Sequence, residues 1–232
     1  MKLKKRKKRT REHQYNRFIK SKLNLNYNKL GMSVDFAYEN DPIRLTFSTS
    51  RYKFVSKMFK GFNNVLEIGC GDGFFSRIVK QNVKNLVATD FDDIFIENAK
   101  ENYQSIKKKW RIQFKVLDIL KEKFNSRFDG IYALDVFEHI KKSKEKLFLK
   151  NVCMSLKKNG VLILGIPSIE SQKYASKISK EGHVNCKSAD EFSKILEKYF
   201  NNVFMFSMND EVIHTGFGKM AHYLIAICCY KK

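Results

Sequence analysis

Val65-Leu66-Glu67-Ile68-Gly69-Cys70-Gly71-Asp72-Gly73 decides how this chain folds. A short apolar run opens into three glycines spaced two apart, and a helix-like stretch from Phe74 to Lys80 follows. Glycine at such a turn lets a ligand approach a helix N-terminus with no Cβ in the way. The loop alone serves a dinucleotide, a mononucleotide or only a tight turn, so its acidic neighbours carry the reading. Glu67 stands two residues before the first glycine, where it repels a pyrophosphate but accepts from an ammonium group. Asp90 ends the next strand, 17 residues after Gly73, placed to accept from both hydroxyls of a ribose. Asp118 follows the third strand, within reach of an adenine amino group. Together the three acids describe a nucleoside without phosphates that carries a cationic amino-acid tail: S-adenosylmethionine.

Outward from this loop the chain alternates strand and helix patterns. Strands are predicted at 65–68, 86–90, 112–117, 128–134, 161–166, 203–207 and 223–230, with helices at 44–59, 74–80, 99–106, 145–156 and 188–199. The last helix is entered at Ser188 with Glu191 three positions on, a capping box. Alternation of this kind means βαβ units and an α/β parallel sheet. No helix separates the final two strands, so the last one runs antiparallel. Residues 1–22 are read as a disordered basic arm, 23–60 as a helical lid segment and 61–232 as the catalytic domain.

The chain has 232 residues and a formal charge of +21. The arm holds eleven Lys or Arg against Glu12 alone and supplies +10 of that charge. Lysines number 36 and arginines 9, a bias against the residue best suited to phosphate and base contacts, so nucleic acid is disfavoured as a partner. No apolar h-region or membrane-length window is present. Five cysteines without a CxxC pair fit a reduced, cytoplasmic setting.

As an ordered set, these features resemble class I S-adenosylmethionine-dependent methyltransferases. The glycine stretch looks like their motif I, and Leu86 to Asp90, Val116 to Ile119 and Phe128 to Ile140 (FDGIYALDVFEHI) match the later motifs. The resemblance spans residues 50–230. It implies a Rossmann-like, seven-stranded, mostly parallel sheet with an antiparallel last strand and helices on both faces. It further implies cofactor contacts at Glu67, Gly69, Cys70, Gly71, Gly73, Asp90, Phe91, Asp118 and Ile119. Phe91 would lie against the adenine, Asp118-Ile119 would border its edge, and Cys70 reads as small filler.

No Asn/Asp-Pro-Pro-Tyr-type motif follows the fourth strand, which disfavours amino-methylating enzymes. Asp135-Val136-Phe137-Glu138-His139 looks instead like small-molecule O-methyltransferases. If 135–140 begins a helical turn, Asp135, Glu138 and His139 share one face, able to hold a divalent ion or act as general base. Glu181-Gly182-His183-Val184-Asn185 resembles the G-x-H loop of quinone O-methyltransferases, and some relatives with an E-x-x-E-H pattern and a distant His bind Mg²⁺. By that resemblance the ligands are Asp135, Glu138, His139 and His183, with Asp135 shorter than the pattern's Glu.

Substrate contacts are expected from Arg44, Arg51 and Tyr52 in a lid over 34–52, from His183, and from Asn209 and His214 in a polar connection that is long for a hairpin. Polar lining favours a small hydrophilic acceptor such as a sugar, nucleotide-linked or phosphate-type intermediate. The stretches SRYKFVSKM, IPSIESQKYAS, GHVNCK and FSMNDEVIHTGF look like a bacterial methyltransferase group associated with surface-polysaccharide clusters. Competing readings are a quinone-type enzyme whose arm touches anionic lipid at a membrane surface, an RNA methyltransferase whose arm binds phosphates, and a non-catalytic cofactor-binding subunit. The intact acids argue against the last.

Overall fold

The computed structural model describes residues 30–104, 110–125 and 127–232. The predicted basic arm lies outside them. Eight described strands form one sheet: β1 (Asn64–Ile68), β2 (Asn85–Asp90), β3 (Ile112–Val116), β4 (Phe128–Leu134), β5 (Leu156–Pro167), β6 (Phe200–Asn209), β7 (Val212–His214) and β8 (Tyr223–Lys231). Their order is β3-β2-β1-β4-β5-β8-β6-β7. The first five run parallel, and β8 enters antiparallel between β5 and β6. This is the expected α/β architecture, with one strand more than the sequence predicts. The polar connection after β6 is not an open loop: β7 folds back on β6 as a short hairpin.

Helices cover both faces because the central strands are apolar on both sides. α1 (Met32–Asn40), α2 (Pro42–Met58), α3 (Ser76–Lys80) and α4 (Asp93–Gln104) precede β3; α5 (Glu145–Ser155), α6 (Lys177–Gly182) and α7 (Ala189–Leu196) come later. Alternate side chains of β1 enter two different cores. Val65 packs with Val55 of α2, Phe59 just after it, Val79 of α3 and Ile96 of α4. Leu66 packs with Phe148 and Val152 of α5 and Phe192 of α7. The Ser188 capping box forms as read from the sequence. Among the described residues no helix is long and apolar enough to cross a membrane.

The N-terminal helices are fastened to the glycine loop. Asp72 is buried, and its Oδ2 accepts from the amides of Ser33 and Val34, each at 3.0 Å, while Oδ1 accepts from Phe74 at 3.1 Å. A loop carboxylate thus caps a helix some forty residues away in sequence, beside the positive end of its dipole. The amide of Met32 donates to Asn98 Oδ1 of α4. Gly31, at φ 136°, precedes the helix where a Cβ would sit 2.4 Å from Asp72 Cγ. Asp72→Ala removes three charge-assisted acceptor contacts and is expected to cost roughly 2–4 kcal/mol. Hydrogen exchange should show residues 33–36 losing protection first; unchanged protection there would disprove the tether.

Candidate functional site

The glycine loop leaves the C-terminal end of β1 in a conformation only glycine adopts freely. Gly69, Gly71 and Gly73 have φ of 78°, 51° and 70°. A Cβ on Gly69 would fall 2.2 Å from Val136 Cγ2, and one on Gly73 would fall 2.5 Å from Phe114 Cε1. Gly71 differs: nothing lies within 4 Å of its Cβ position, so it borders open space where a ligand can approach.

The three acids expected to serve the site are in distinct states. Asp90 Oδ2 accepts from the Gly71 amide at 2.9 Å and its Oδ1 from Asp92, leaving lone pairs on both oxygens. Asp118 Oδ1 accepts from the Leu120 amide, its Oδ2 is 3.3 Å from Lys121 Nζ, and Ile119 beside it is buried. The Phe91 ring is 74% exposed next to Asp90, free to lie against a planar ligand. Glu67 is sealed in, 1% exposed. Burial raises its carboxyl to about 7, opposed by the hydroxyls of Ser76, Tyr132 and Tyr52. Those hydroxyls surround it without closing hydrogen bonds of good geometry, and both Glu67 oxygens are unpartnered. The Cys70 thiol is buried and pushed up by desolvation, which makes it filler and not a nucleophile.

The second half of the site is built at the end of β4. Asp135 takes φ 56°, a left-handed turn that ends the strand, and a 3₁₀ turn over Phe137–His139 follows. This corrects the expected one-face arrangement. The left-handed residue breaks helical register, and Asp135 pairs with Arg51 instead of joining the group formed by Glu138, His139 and His183. Both its oxygens contact Arg51 Nη1, at 3.0 and 2.7 Å, and the same guanidinium lies 3.6 Å from the centre of the Tyr223 ring. Tyr52, the next residue on α2, faces inward and stacks on Phe75.

Glu138, His139 and His183 do come together, each offering a ligand atom within 4.8 Å of the others. The Glu138 carboxylate is fully buried and unpartnered; burial, then the nearby Asp135 charge, raises it well above the usual carboxylate range. His139 Nδ1 lies 2.8 Å from the Gly182 carbonyl, which only accepts, so Nδ1 carries the proton and Nε2 is free. His183 Nδ1 is 2.8 Å from Gln172 Oε1, and Gln172 is itself oriented by donating to the Ser168 carbonyl. The two imidazoles meet edge to face at 5.3 Å. Burial and the His139 charge lower His183, and Arg44 of α2, exposed, acts on it in the same direction.

Sequence reading missed what holds this cluster. The Glu138 carbonyl accepts from the amides of Val184 and Asn185, both at 2.9 Å. Behind them Lys187 Nζ, 5% exposed as a residue, bonds Asn185 Oδ1 at 2.6 Å and Glu145 Oε2 at 3.0 Å. Gln172 was legible only as part of a polar loop. Conversely, Asn209 and His214 are occupied by the hairpin. His214 Nε2 bonds Asn209 Oδ1 at 3.0 Å, its Nδ1 accepts from Gly216, and Asn209 Nδ2 donates to the Met220 carbonyl. Their polar groups are spent on that turn, so they are not free substrate contacts.

Residues 66–162 match the family model described as a methyltransferase domain. The chain is 26% identical over 180 residues to an mRNA cap guanine-N(7) methyltransferase of Caenorhabditis elegans, covering 66% of this chain and 46% of that protein. It is 32% identical over 102 residues to a ubiquinone biosynthesis O-methyltransferase of Pelagibacter ubique, covering 43% and 40%. The chain thus spans about half the length of the curated relatives it matches. Among solved structures, the N-methyltransferase NodS of Bradyrhizobium japonicum with S-adenosyl-L-homocysteine aligns with a TM-score of 0.62 at 20% identity, over 92% of this chain and 97% of that one. The methyltransferase domain of a bacterial Hen1, CtHen1-C, aligns at 0.65 and 18% identity, over 80% and 100%. At such identities the likeness is one of fold.

Glu67 gives the site a pH signature. Between the ordinary carboxyl value of 4.5 and about 7, the folded chain keeps a proton that the unfolded chain releases. Stability from this group is therefore complete below 4.5 and lost as pH rises through 7, by at most about 3 kcal/mol. Thermal unfolding of the ligand-free protein from pH 5 to 8 should show that decline. Glu67→Gln should flatten it, and an identical slope in the variant would exclude Glu67 as its source.

Proposed function

We propose that this chain is a class I S-adenosylmethionine-dependent methyltransferase that O-methylates a small polar acceptor through the cluster of Glu138, His139 and His183. S-adenosylmethionine is the cofactor of this domain. Its contacts are assigned to Gly69, Cys70, Gly71 and Gly73 with Glu67, Asp90, Phe91, Asp118 and Ile119. The unpartnered Glu67 oxygens face inward for the donor's ammonium group, and the free lone pairs of Asp90 suit its ribose.

Donor and acceptor meet in line. The acceptor oxygen bonds the methyl carbon as the carbon–sulfur bond breaks, the electron pair stays on sulfur, and S-adenosylhomocysteine leaves. The sulfonium is already a strong electrophile, so the protein's task is positioning and removal of one proton. His139 Nε2, free and on an exposed ring, takes the acceptor's hydroxyl proton, with Gly182 fixing the tautomer. Arg51 is held by Asp135, which leaves Arg44, exposed near His183, as the arginine of α2 available to an acceptor.

In the alternative to a His139 base, which would use the same Nε2, the cluster fits a divalent ion: a buried unpartnered carboxylate and two imidazoles with free Nε2 atoms. Asp135, engaged by Arg51, drops from the ligand set. Two nitrogens and one oxygen suit a borderline ion such as Zn²⁺ or Mn²⁺ better than Mg²⁺, which prefers oxygen. When bound, such an ion supplies Lewis acidity to an acceptor oxygen.

For the acceptor, a sugar, nucleotide-linked or phosphate-type intermediate of surface-polysaccharide synthesis is favoured by Arg44 and the imidazoles. A lipophilic, quinone-type acceptor is the second reading. The large side chains exposed on α1 and at the start of α2, Phe36, Tyr38 and Ile43, favour it.

Labelled methyl donor with fractionated cell extract tests the assignment. Label is expected in the nucleotide-sugar or glycan fraction; label in lipid supports the second reading, and label confined to RNA or protein refutes both. His139→Ala should lower incorporation by roughly 10²–10⁴-fold with S-adenosylhomocysteine affinity unchanged. Elemental analysis separates the two readings: about one transition-metal ion per chain, lost in Glu138→Gln and His183→Ala, supports the metal, and an active wild type without metal leaves His139 as the base.

A further inference from the structure

β3 is the outermost strand at its end of the sheet, and its two faces differ. Ile112 and Phe114 are buried, and Tyr103 of α4 packs edge-on against Phe114. Gln113 and Lys115 alternate with them and point to the opposite face, in the period of two that a half-covered strand shows. On that face lies a cavity of about 520 Å³. Arg111, Gln113 and Lys115 come from the β3 side, Asn85 from the start of β2, and Phe124 and Arg127 from the segment leading into β4.

The cavity lies by the N-terminal ends of β1 and β2, whereas the glycine loop leaves the C-terminal end of β1. The five residues of β1 put roughly 16 Å between them. The cavity therefore opens away from the glycine loop, beside the outer face of β3.

Its electrostatics are one-sided. No acid lines it, and none of Arg111, Lys115 and Arg127 forms an ion pair among the described residues. Asp129, the acid at the start of β4, is already held by Lys157 Nζ at 2.7 Å and the Asn64 amide at 2.8 Å. Three uncompensated cations around a concave wall concentrate positive potential, and guanidinium forks match phosphate oxygens. Phe124, half-buried with Lys115 Nζ 5.9 Å from its ring centre, offers a flat face. The amides of Asn85 and Gln113 add both donors and acceptors. Phosphate, ring and polar edge are the parts of a nucleotide, and the volume lies in the range of small-ligand sites, about 300–1,000 Å³.

We propose that this cavity binds a nucleoside phosphate as a second ligand of the chain, separate from the donor and acceptor sites. Arg111 and Arg127 hold the phosphate, and the base lies along Phe124.

Calorimetric titration of the intact chain tests this, with S-adenosylhomocysteine saturating the donor site and UDP, uridine and inorganic pyrophosphate as probes. UDP is expected to bind with a micromolar Kd and the other two more weakly. Arg111→Ala with Arg127→Ala should weaken UDP by about tenfold or more. Phe124→Leu should weaken UDP several-fold while leaving pyrophosphate unchanged. Wild-type affinity for S-adenosylhomocysteine certifies that each variant is folded. UDP binding no tighter than millimolar, an unchanged Kd in the double variant, or pyrophosphate binding as tightly as UDP would overturn the proposal. So would binding restricted to a long RNA homopolymer.

Discussion

Three backbone amides converge on the carboxylate of Asp72, and much of the site depends on that convergence. Capping α1 from the glycine loop fixes where the chain turns at Asp41-Pro42 into α2. α2 then reaches across the sheet ends. Its Tyr52 faces Glu67, its Arg51 pairs with Asp135 over Tyr223, and its Arg44 stands near His183. Residues 44 and 51 are two helical turns apart and so share a face. One acid within the glycine loop therefore sets the position of a helix that reaches the Asp135 turn and the histidine cluster.

The fold was legible because two periodicities and one loop carry it. Glycines at 69, 71 and 73 could only mark a left-handed turn at a strand end, and all three have positive φ. Ser188 and Glu191 announced a helix start by their own chemistry. The positions of the carboxylates at 67, 90 and 118 at or just after strand ends were legible because the strands themselves were. What stayed hidden depends on single dihedrals and distant partners. Nothing in Asp135-Val136-Phe137 says that Asp135 adopts φ 56° and leaves the helical face. Asn209 and His214 look available as letters and are consumed by each other in the hairpin. Gln172 and Asp72 act through contacts across 11 and 39 residues, which local pattern does not encode.

Lysine is this chain's default cation, which makes its arginines informative. Four of the nine lie in residues 1–22, leaving Arg44, Arg51, Arg77, Arg111 and Arg127. Two of these five flank the strand-end crevice and two line the cavity beside β3. Where a planar, permanently charged fork has a use, arginine stands against the compositional trend. The +21 total is thus a poor guide to function, while the choice between two cations of equal charge is a better one.

The ion pair behind the histidine loop has a consequence of its own. Lys187 and Glu145 meet almost out of contact with water, 7% and 13% exposed at the side chain, whereas the cavity cations Arg111 and Arg127 stand in solvent. Dissolved ions screen exposed charges over about 8–10 Å at ordinary ionic strength and reach buried pairs far less. Added salt therefore weakens the pull of those exposed cations on any anion long before it loosens the pair behind His183. In dilute and in concentrated electrolyte alike, the histidine cluster keeps the same backing beneath a surface whose positive potential differs widely.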